Sequence, residues 1–410
     1  MGKVLGIIGE YNPFHNGHMY HLEESKKLTS SNYTVAIISG NFTQRGSTAI
    51  IDKWSRAEMA IRNGVDLVIE LPLLYATSSA ENFADGAIKI LNSLKVVDYV
   101  SFGSETSNID ILSDLADILY KEPIKYKSLL SHELKKGLSF PKARENALMM
   151  YLEGDMKYLD VLSSPNNILG VEYIKALKKY KSNISPISIA RFETGYNDVT
   201  YSGNIASATA IRNIIKNGAF DALKKLLPSS SYSILLKSIK EGHVVPDLSV
   251  FEKQIIYNLR SMYPEEIAEL ADVSEGLEFS LKNAADSCNT LEDLLNTIKS
   301  KRYTETRLQR ILLYSLLNIT KKDIELSKKA TPYVRVLGLN NRGKFLISEI
   351  AKANPKLEII TSVKKFSDKT TNKNLKYMIE KDIWATDVYT IGYQFDSSSN
   401  LDFTKKLLTL

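Results

Sequence analysis

Gly6-Ile7-Ile8-Gly9-Glu10-Tyr11-Asn12-Pro13-Phe14-His15-Asn16-Gly17-His18 joins an apolar segment to a polar, histidine-rich one. It runs off an apolar strand, turns at Asn12-Pro13, where proline biases the preceding residue away from helical angles, and enters a helix near Asn16. Asn16 is the expected N-cap, and Gly17 in the first helical turn lets a planar or charged ligand approach the backbone closely. A helix that opens at the end of a first strand is an anion site, because its free N–H groups and positive dipole end point outward. His15 and His18, three residues apart, set two imidazoles over that mouth, where they can donate hydrogen bonds to phosphate oxygens as charge builds. The chemistry suggested is nucleotidyl transfer, which needs positioning and charge neutralisation around an α-phosphate, with Mg²⁺ on the leaving pyrophosphate. A zinc site from His15, His18 and His21 is disfavoured, since that spacing drifts around a helix and no HExxH pattern accompanies it; His21 is read as serving the helix.

Val4 to Gly9, Thr34 to Gly40, Asp66 to Leu71 and Asp98 to Gly103 read as buried parallel strands. Between them, His18 to Leu28, Ser55 to Asn63 and Ala80 to Leu94 carry apolar residues at helical spacing. This β-α alternation predicts an α/β fold with a Rossmann-like doubly wound parallel sheet, whose ligand crevice lies beyond the carboxyl ends of the strands. From Glu105 to about Lys181 the chain reads as helical, with a turn-rich break at Ser163-Ser164-Pro165-Asn166-Asn167. A strand from Ile184 to Arg191 leads through a loop, Thr194 to Asn204, to a helix opening at Ser207. Residues 219 to 327 read as almost wholly helical, and the remainder shows one β-like run, Tyr333 to Leu339, followed by Gly343 and a helix. The expected division is a nucleotide-binding domain over 1–218, with a helical insertion at about 106–181, and a mainly helical, basic domain over 219–410.

His15-Asn16-Gly17-His18 resembles the HxGH signature of the nucleotidyltransferase superfamily, of the HUP type, that includes class I synthetases and the pantetheine-phosphate and nicotinamide mononucleotide adenylyltransferases. Ile205-Ala206-Ser207-Ala208-Thr209-Ala210-Ile211-Arg212 resembles its second, ISSTxIR-like signature. There, hydroxyls from Ser207 and Thr209, free helix amides and the Arg212 guanidinium make a second phosphate clamp. More narrowly, the chain resembles the tRNA(Met) cytidine acetate ligases. The resemblance is carried by Gly9 to His18, Gln44-Arg45-Gly46, Asp66 to Pro72, Phe102-Gly103-Ser104-Glu105, Pro165 to Gly170, Ile205 to Arg212 and Lys301 to Arg310. It implies an enzyme that uses ATP and acetate to form acetyl-adenylate and then acetylates N4 of the wobble cytidine, position 34, of elongator tRNA(Met). It also implies ATP contacts at Ile7, Ile8, Gly9, Glu10, Tyr11, Asn12, Pro13, Phe14, His15, Asn16, Gly17, His18, Met19 and Tyr20, and at Gly103, Asn166 or Asn167, and Arg191.

Lys53 and Arg56 are open between facing acetate or phosphate and sitting at a solvated helix start, while Asp66 and Glu70 read as structural. The chain has 410 residues, of which 44% are hydrophobic and 24% charged, an ordinary soluble composition that excludes disordered, collagen-like and fibrous classes. One cysteine, Cys288, excludes an intramolecular disulfide and a cysteine-built metal cluster, and fits a reducing compartment, hence the cytoplasm. The first residues lack the apolar core and cleavage site of a secretory signal, and no apolar run reaches bilayer length.

The net charge of +6 is modest, but residues 301 to 344 carry 11 Lys and Arg against Glu305, Asp323 and Glu325. Arg302, Tyr303, Arg307 and Arg310 there offer guanidiniums for phosphates and a ring for stacking, which makes this stretch the expected tRNA contact. Two alternatives remain open to the sequence: an adenylyltransferase of the pantetheine-phosphate or nicotinamide mononucleotide type, which has no use for the long basic half, and a non-catalytic tRNA-binding protein. An aminoacyl-tRNA synthetase is disfavoured because no KMSKS-like loop follows the sheet.

Overall fold

The computed structural model describes residues 1–106, 108–158, 161–162, 164–191 and 204–410. Ser163 and the expected loop at 194–204, apart from Asn204, lie outside them.

Five strands form the parallel part of one sheet: β1 (Val4–Gly9), β2 (Tyr33–Ser39), β3 (Leu67–Leu71), β4 (Tyr99–Ser104) and β5 (Ser185–Ala190). Their spatial order is β5-β4-β1-β2-β3, so the winding reverses between β1 and β4. β1 pairs on one side with β2, Gly6 opposite Val35, and on the other with β4, Ile7 opposite Ser101. Every β1 residue from Val4 to Ile8 is buried, because helices cover both faces of the sheet.

Three helices reproduce the amphipathic segments, α1 (Asn16–Thr29), α2 (Lys53–Arg62) and α3 (Ala80–Leu94), and a fourth, α4 (Pro165–Lys179), begins where the sequence predicts a turn-rich break. The Pro165-Asn166-Asn167 run is therefore the first turn of α4 rather than a break, with proline at the position where a missing N–H costs nothing. α5 (Ala208–Lys216) opens as expected behind Ser207, whose Oγ accepts from Ala210 N at 3.1 Å.

The C-terminal half is helical from residue 223 to 329 apart from short connections, and includes α6 (Glu305–Leu317). Its strands were legible only in part. β6 (Tyr333–Leu339) lies antiparallel against β3, with β7 (Glu358–Ile360) and β8 (Leu408–Thr409) on β6, so the nucleotide sheet is completed by residues far along the chain. α7 (Lys373–Thr390) packs behind it, where Asp382 accepts from Leu73 N at 2.7 Å and from Tyr333 Oη at 2.8 Å.

Lys53 and Arg56 neither face substrate nor sit in solvent, for both are fully buried. Lys53 Nζ lies 2.8 Å from Glu70 Oε1 and 2.8 Å from Asp402 Oδ1, while Arg335 reaches Glu70 at 3.0 Å and also pairs with Asp402. Arg56 donates to the carbonyls of Ile51, Glu10, Ser39 and Gly40, tying the ends of β1 and β2 to α2. Asp66 and Glu70 are structural, as expected: Asp66 Oδ2 accepts from Thr34 N at 2.9 Å.

Candidate active site

The crevice at the carboxyl ends of β1 and β4 receives nearly all the expected site residues, as a switch point should. Ile7 and Ile8 point to opposite faces of the sheet and fill the two hydrophobic cores, so β1 offers a ligand its backbone end at Gly9 and Glu10 rather than those side chains. Asn12 anchors the turn: its Oδ1 accepts from Ile50 N at 2.7 Å, and its carbonyl accepts from Arg212 Nη1 at 3.1 Å. Tyr11 and Phe14 are buried and wall the His18 ring at centroid distances of 5.0 and 5.6 Å.

His15, not Asn16, is the N-cap of α1. Its Nδ1 accepts from Gly17 N at 3.0 Å, and its own backbone N–H donates to His18 Nδ1 at 3.3 Å. A backbone N–H can only donate, so both Nδ1 atoms are unprotonated and each neutral ring carries its proton on Nε2. Burial, with Arg191 and Arg212 adding to it, pulls His15 down to about 3. Burial likewise lowers His18 well below its usual value, helped by His15, Arg191 and His21, while the Pro13 carbonyl acts the other way. The rings lie 3.8 Å apart and 31° from parallel. Two uncharged imidazoles with their donors set by the cap are preorganised to hydrogen-bond an oxyanion without first losing a proton to solvent.

Gly17 is required by the His15 ring itself, since a Cβ there would sit 2.9 Å from His15 Cε1. Asn16 is the first helical residue; its Nδ2 donates to the carbonyls of Asn204 and Lys225, both at 2.8 Å, which docks α1 against the chain on either side of α5. Met19 packs into the core beneath, and Tyr20 is half-buried on the same helix. His21 ties α1 to β4 through Ser101 Oγ at 3.0 Å, so it serves the helix as the sequence indicated.

Three guanidiniums enter the crevice. Arg212 braces Asn12 and accepts Thr209 as a neighbour, Nη2 donating to its Oγ1 at 3.0 Å. Arg191 follows β5, its backbone N–H donating to Ser104 O at 3.1 Å and its side chain lying over Gly103, where a Cβ would come 3.1 Å from Arg191 Cγ. Arg45, which the sequence reading left without a site role, stands near Glu10 and Arg212. The signal for it was its place in the Gln44-Arg45-Gly46 block.

Asn167 is buried and spends its Oδ1 on Ser104 Oγ at 2.6 Å and Glu105 N at 2.9 Å, holding the end of β4. Asn166 is half-exposed, with Nδ2 donating to Glu105 Oε1 at 2.6 Å.

The expected tRNA residues divide, and Arg310 lies against Gly46 of the β2–α2 loop. Arg310 is 8% exposed and paired with Asp272 at 2.7 Å, so it is a structural residue and not a phosphate contact. Arg307 donates to Asp272 O and to Ser274 Oγ while its guanidinium covers the Tyr303 ring at 5.0 Å. Arg302 is exposed, 3.7 Å from Glu275. Cys288 is half-buried at the end of a helix and packs against the core. Among the described residues no three His, Cys, Asp or Glu side chains gather where a metal could bind, and no helix is long and apolar enough to cross a membrane.

A family model described as HIGH Nucleotidyl Transferase matches residues 2–403. A tRNA(Met) cytidine acetate ligase of Caldanaerobacter subterraneus subsp. tengcongensis is 48% identical over 408 residues, covering 100% of both chains. One of Acetivibrio thermocellus is 44% identical over 418 residues, again covering 100% of both. Thermotoga maritima TmcAL, solved bound with alpha-thio ATP, superposes with a TM-score of 0.93 at 37% identity, covering 100% of this chain and 99% of that one. With both phosphate signatures placed at one crevice and relatives matching from end to end, the chain belongs to the tRNA(Met) cytidine acetate ligase family of HIGH nucleotidyltransferases.

Proposed function

We propose that the chain is an ATP-dependent tRNA-modifying ligase that activates acetate and acetylates N4 of the wobble cytidine of elongator tRNA(Met). The observation that carries the reading is the pair of neutral, cap-fixed imidazoles at the start of α1, facing the Ser207–Arg212 helix start within one switch-point crevice. The match of relatives across the helical and basic half as well disfavours a small-molecule adenylyltransferase, which has no use for it.

In the first step an acetate oxygen bonds to the α-phosphorus of ATP as the bond to pyrophosphate breaks, and the electron pair leaves on pyrophosphate. His15 and His18 donate from Nε2 to phosphate oxygens where charge builds, and both stay neutral throughout. Ser207, Thr209, the α5 amides and Arg212 hold the departing phosphates, with Arg191 and Asn166 on the nucleotide from the β4–β5 side. Gly9 to Phe14 and Gly103 shape the rest of the nucleotide cradle, Asn167 supporting it from beneath. Mg²⁺ carried on the triphosphate as part of the substrate would neutralise the pyrophosphate charge. In the second step the cytidine N4 amine attacks the acetyl carbonyl, AMP leaves, and the amine loses its proton.

The division of labour follows the chain: 1–218 carries the nucleotide chemistry and 219–410 contacts tRNA, through Arg302, Tyr303 and Arg307. We place the enzyme in the cytoplasm, with its tRNA substrate.

Acetate-dependent exchange of labelled pyrophosphate into ATP, without tRNA, tests the first step. His18→Ala is expected to abolish it, and no exchange with acetate in the wild type would sink the adenylate mechanism. Mass spectrometry of tRNA nucleosides after incubation with ATP and acetate tests the second, the expected product being N4-acetylcytidine.

A further inference from the structure

The crevice receives one more basic group, from the loop between β2 and α2. That loop is bolted to the site's own turn through Asn12 Oδ1 and Ile50 N. Its tip is a tight turn, with Thr43 N donating to Ser47 O at 2.8 Å and Gly46 N to Thr43 O at 3.0 Å. Gln44 N donates to Glu10 Oε1 at 3.0 Å and Gln44 Nε2 to Ser78 O at 3.2 Å, which fixes the residue next to Arg45 against the end of β1. Arg45 is itself half-buried. Burial pulls its guanidinium below the usual value; Glu10 opposes that pull and Arg212 reinforces it. Arg212 shows the same dependence, lowered by burial and supported by Glu10.

Gln44 N on Glu10 Oε1 sets the β2–α2 loop against the end of β1, and Arg212 Nη1 on the Asn12 carbonyl sets α5 against the turn that follows, so both elements bring a guanidinium toward Glu10. The low-dielectric crevice keeps the positive field of the two guanidiniums strong. Glu10 directly follows Gly9 at the end of β1, and the α1 mouth with His15 opens five residues later. An oxyanion drawn to that field lies beside the reacting phosphate.

We propose that Arg45 contacts a substrate oxyanion in the activation step, working across Glu10 from Arg212. The oxyanion is the carboxylate of acetate or a phosphate of ATP; both present the paired oxygens that a guanidinium fork matches. Arg45 transfers no proton and forms no bond to substrate. The inference rests on the acetate-activation reading above.

Pyrophosphate exchange with Arg45→Ala and Arg45→Lys separates the two sources. A rise of about tenfold or more in the KM for acetate with ATP unaffected assigns the carboxylate, and the reverse assigns a phosphate; both outcomes support the proposal. Kinetic constants within about twofold of wild type overturn it. So does a lowered melting temperature in Arg45→Ala with activity fully restored by Arg45→Lys and neither KM shifted, because that pattern belongs to a brace for Glu10. If the wild type exchanges nothing with acetate, the activation reading has failed instead. Titration calorimetry of ATP on wild type and Arg45→Ala then decides the inference alone: weakened ATP binding supports it and unchanged binding overturns it.

Discussion

The two histidines owe their chemistry to a cap. His15 must leave Nδ1 unprotonated to accept from Gly17, and His18 must do so to accept from His15, which sets both donors on Nε2. Their depressed proton affinity has a cost in acid. An unfolded histidine binds a proton near pH 6.5, whereas folded His15 holds off until about 3 and folded His21 until about 4. Between those limits the unfolded state binds more protons, so stability present above pH 6.5 is lost as pH falls through that window. The nucleotide-free protein should therefore melt at progressively lower temperature from pH 6.5 to 4. His15→Asn keeps an N-cap oxygen and removes one titrating group, so its melting curve should fall less steeply over the same range; an equal slope would count against the burial argument. Arg310 gives a second residue-scale test. Arg302→Ala with Arg307→Ala should weaken tRNA acetylation while sparing pyrophosphate exchange, and equal loss of both would indicate a folding role. Arg310→Ala leaves Asp272 without its partner and should instead lower stability by roughly 1–3 kcal/mol, read by urea denaturation.

At the scale of elements, the β2–α2 loop is wedged between the crevice and α6. Gly46 has φ +76°, and a Cβ on it would lie 2.4 Å from Arg310 N and 2.6 Å from Gln309 C, backbone atoms that cannot turn aside. Gly46→Ala should therefore cost about 1–3 kcal/mol through strain and clash together, seen as a lowered urea midpoint. Because the displaced loop also carries Gln44 and Arg45, pyrophosphate exchange should fall with it. Elements built on local pattern were readable from the chain: Ala80–Leu94 is helical over the predicted residues, and the first four strands lie within one residue of expectation at each end. What local pattern does not encode is partnership. Tyr333–Leu339 reads as a strand, but nothing in its own residues names β3 as its neighbour, since register is set by side chains of both strands. The same holds for the site. HxGH and the Ser207–Arg212 segment declare themselves by spacing, whereas Asn167, an apparent turn residue, becomes a buried brace only because β4 ends beside it. Lys53 and Arg56 misled for this reason: a basic pair at a helix start looks solvated until distant carboxylates and carbonyls close over it.

Across the whole molecule, the charges buried beneath the sheet bind its two halves into one folding unit. Lys53 comes from α2, Glu70 from β3, Arg335 from β6 and Asp402 from the short helix Leu401–Thr404, and each is at most 4% exposed. Lys53 and Arg335 pair directly with Glu70 and Asp402, while the neighbouring Asp382, raised to about 7 by burial and by Glu70, adds little further negative charge, so the cluster tolerates removal of a pair far better than removal of one member. Asp402→Asn strips one carboxylate and leaves Lys53 and Arg335 sharing Glu70, a change expected to cost about 3–5 kcal/mol. Lys53→Met combined with Asp402→Leu takes away one charge of each sign, leaves the Glu70–Arg335 pair intact and fills the space with apolar groups. The double variant should be more stable than Asp402→Asn despite carrying two substitutions. Urea titrations of the three proteins provide the comparison, followed in parallel by Trp fluorescence and by ATP binding. Coincident transitions for both probes are expected, because the Lys53–Asp402 pair joins α2 of the nucleotide-binding half to the C-terminal segment. A double variant no more stable than the single one would show that packing around Asp402, rather than charge balance, holds the C-terminal segment to the nucleotide sheet.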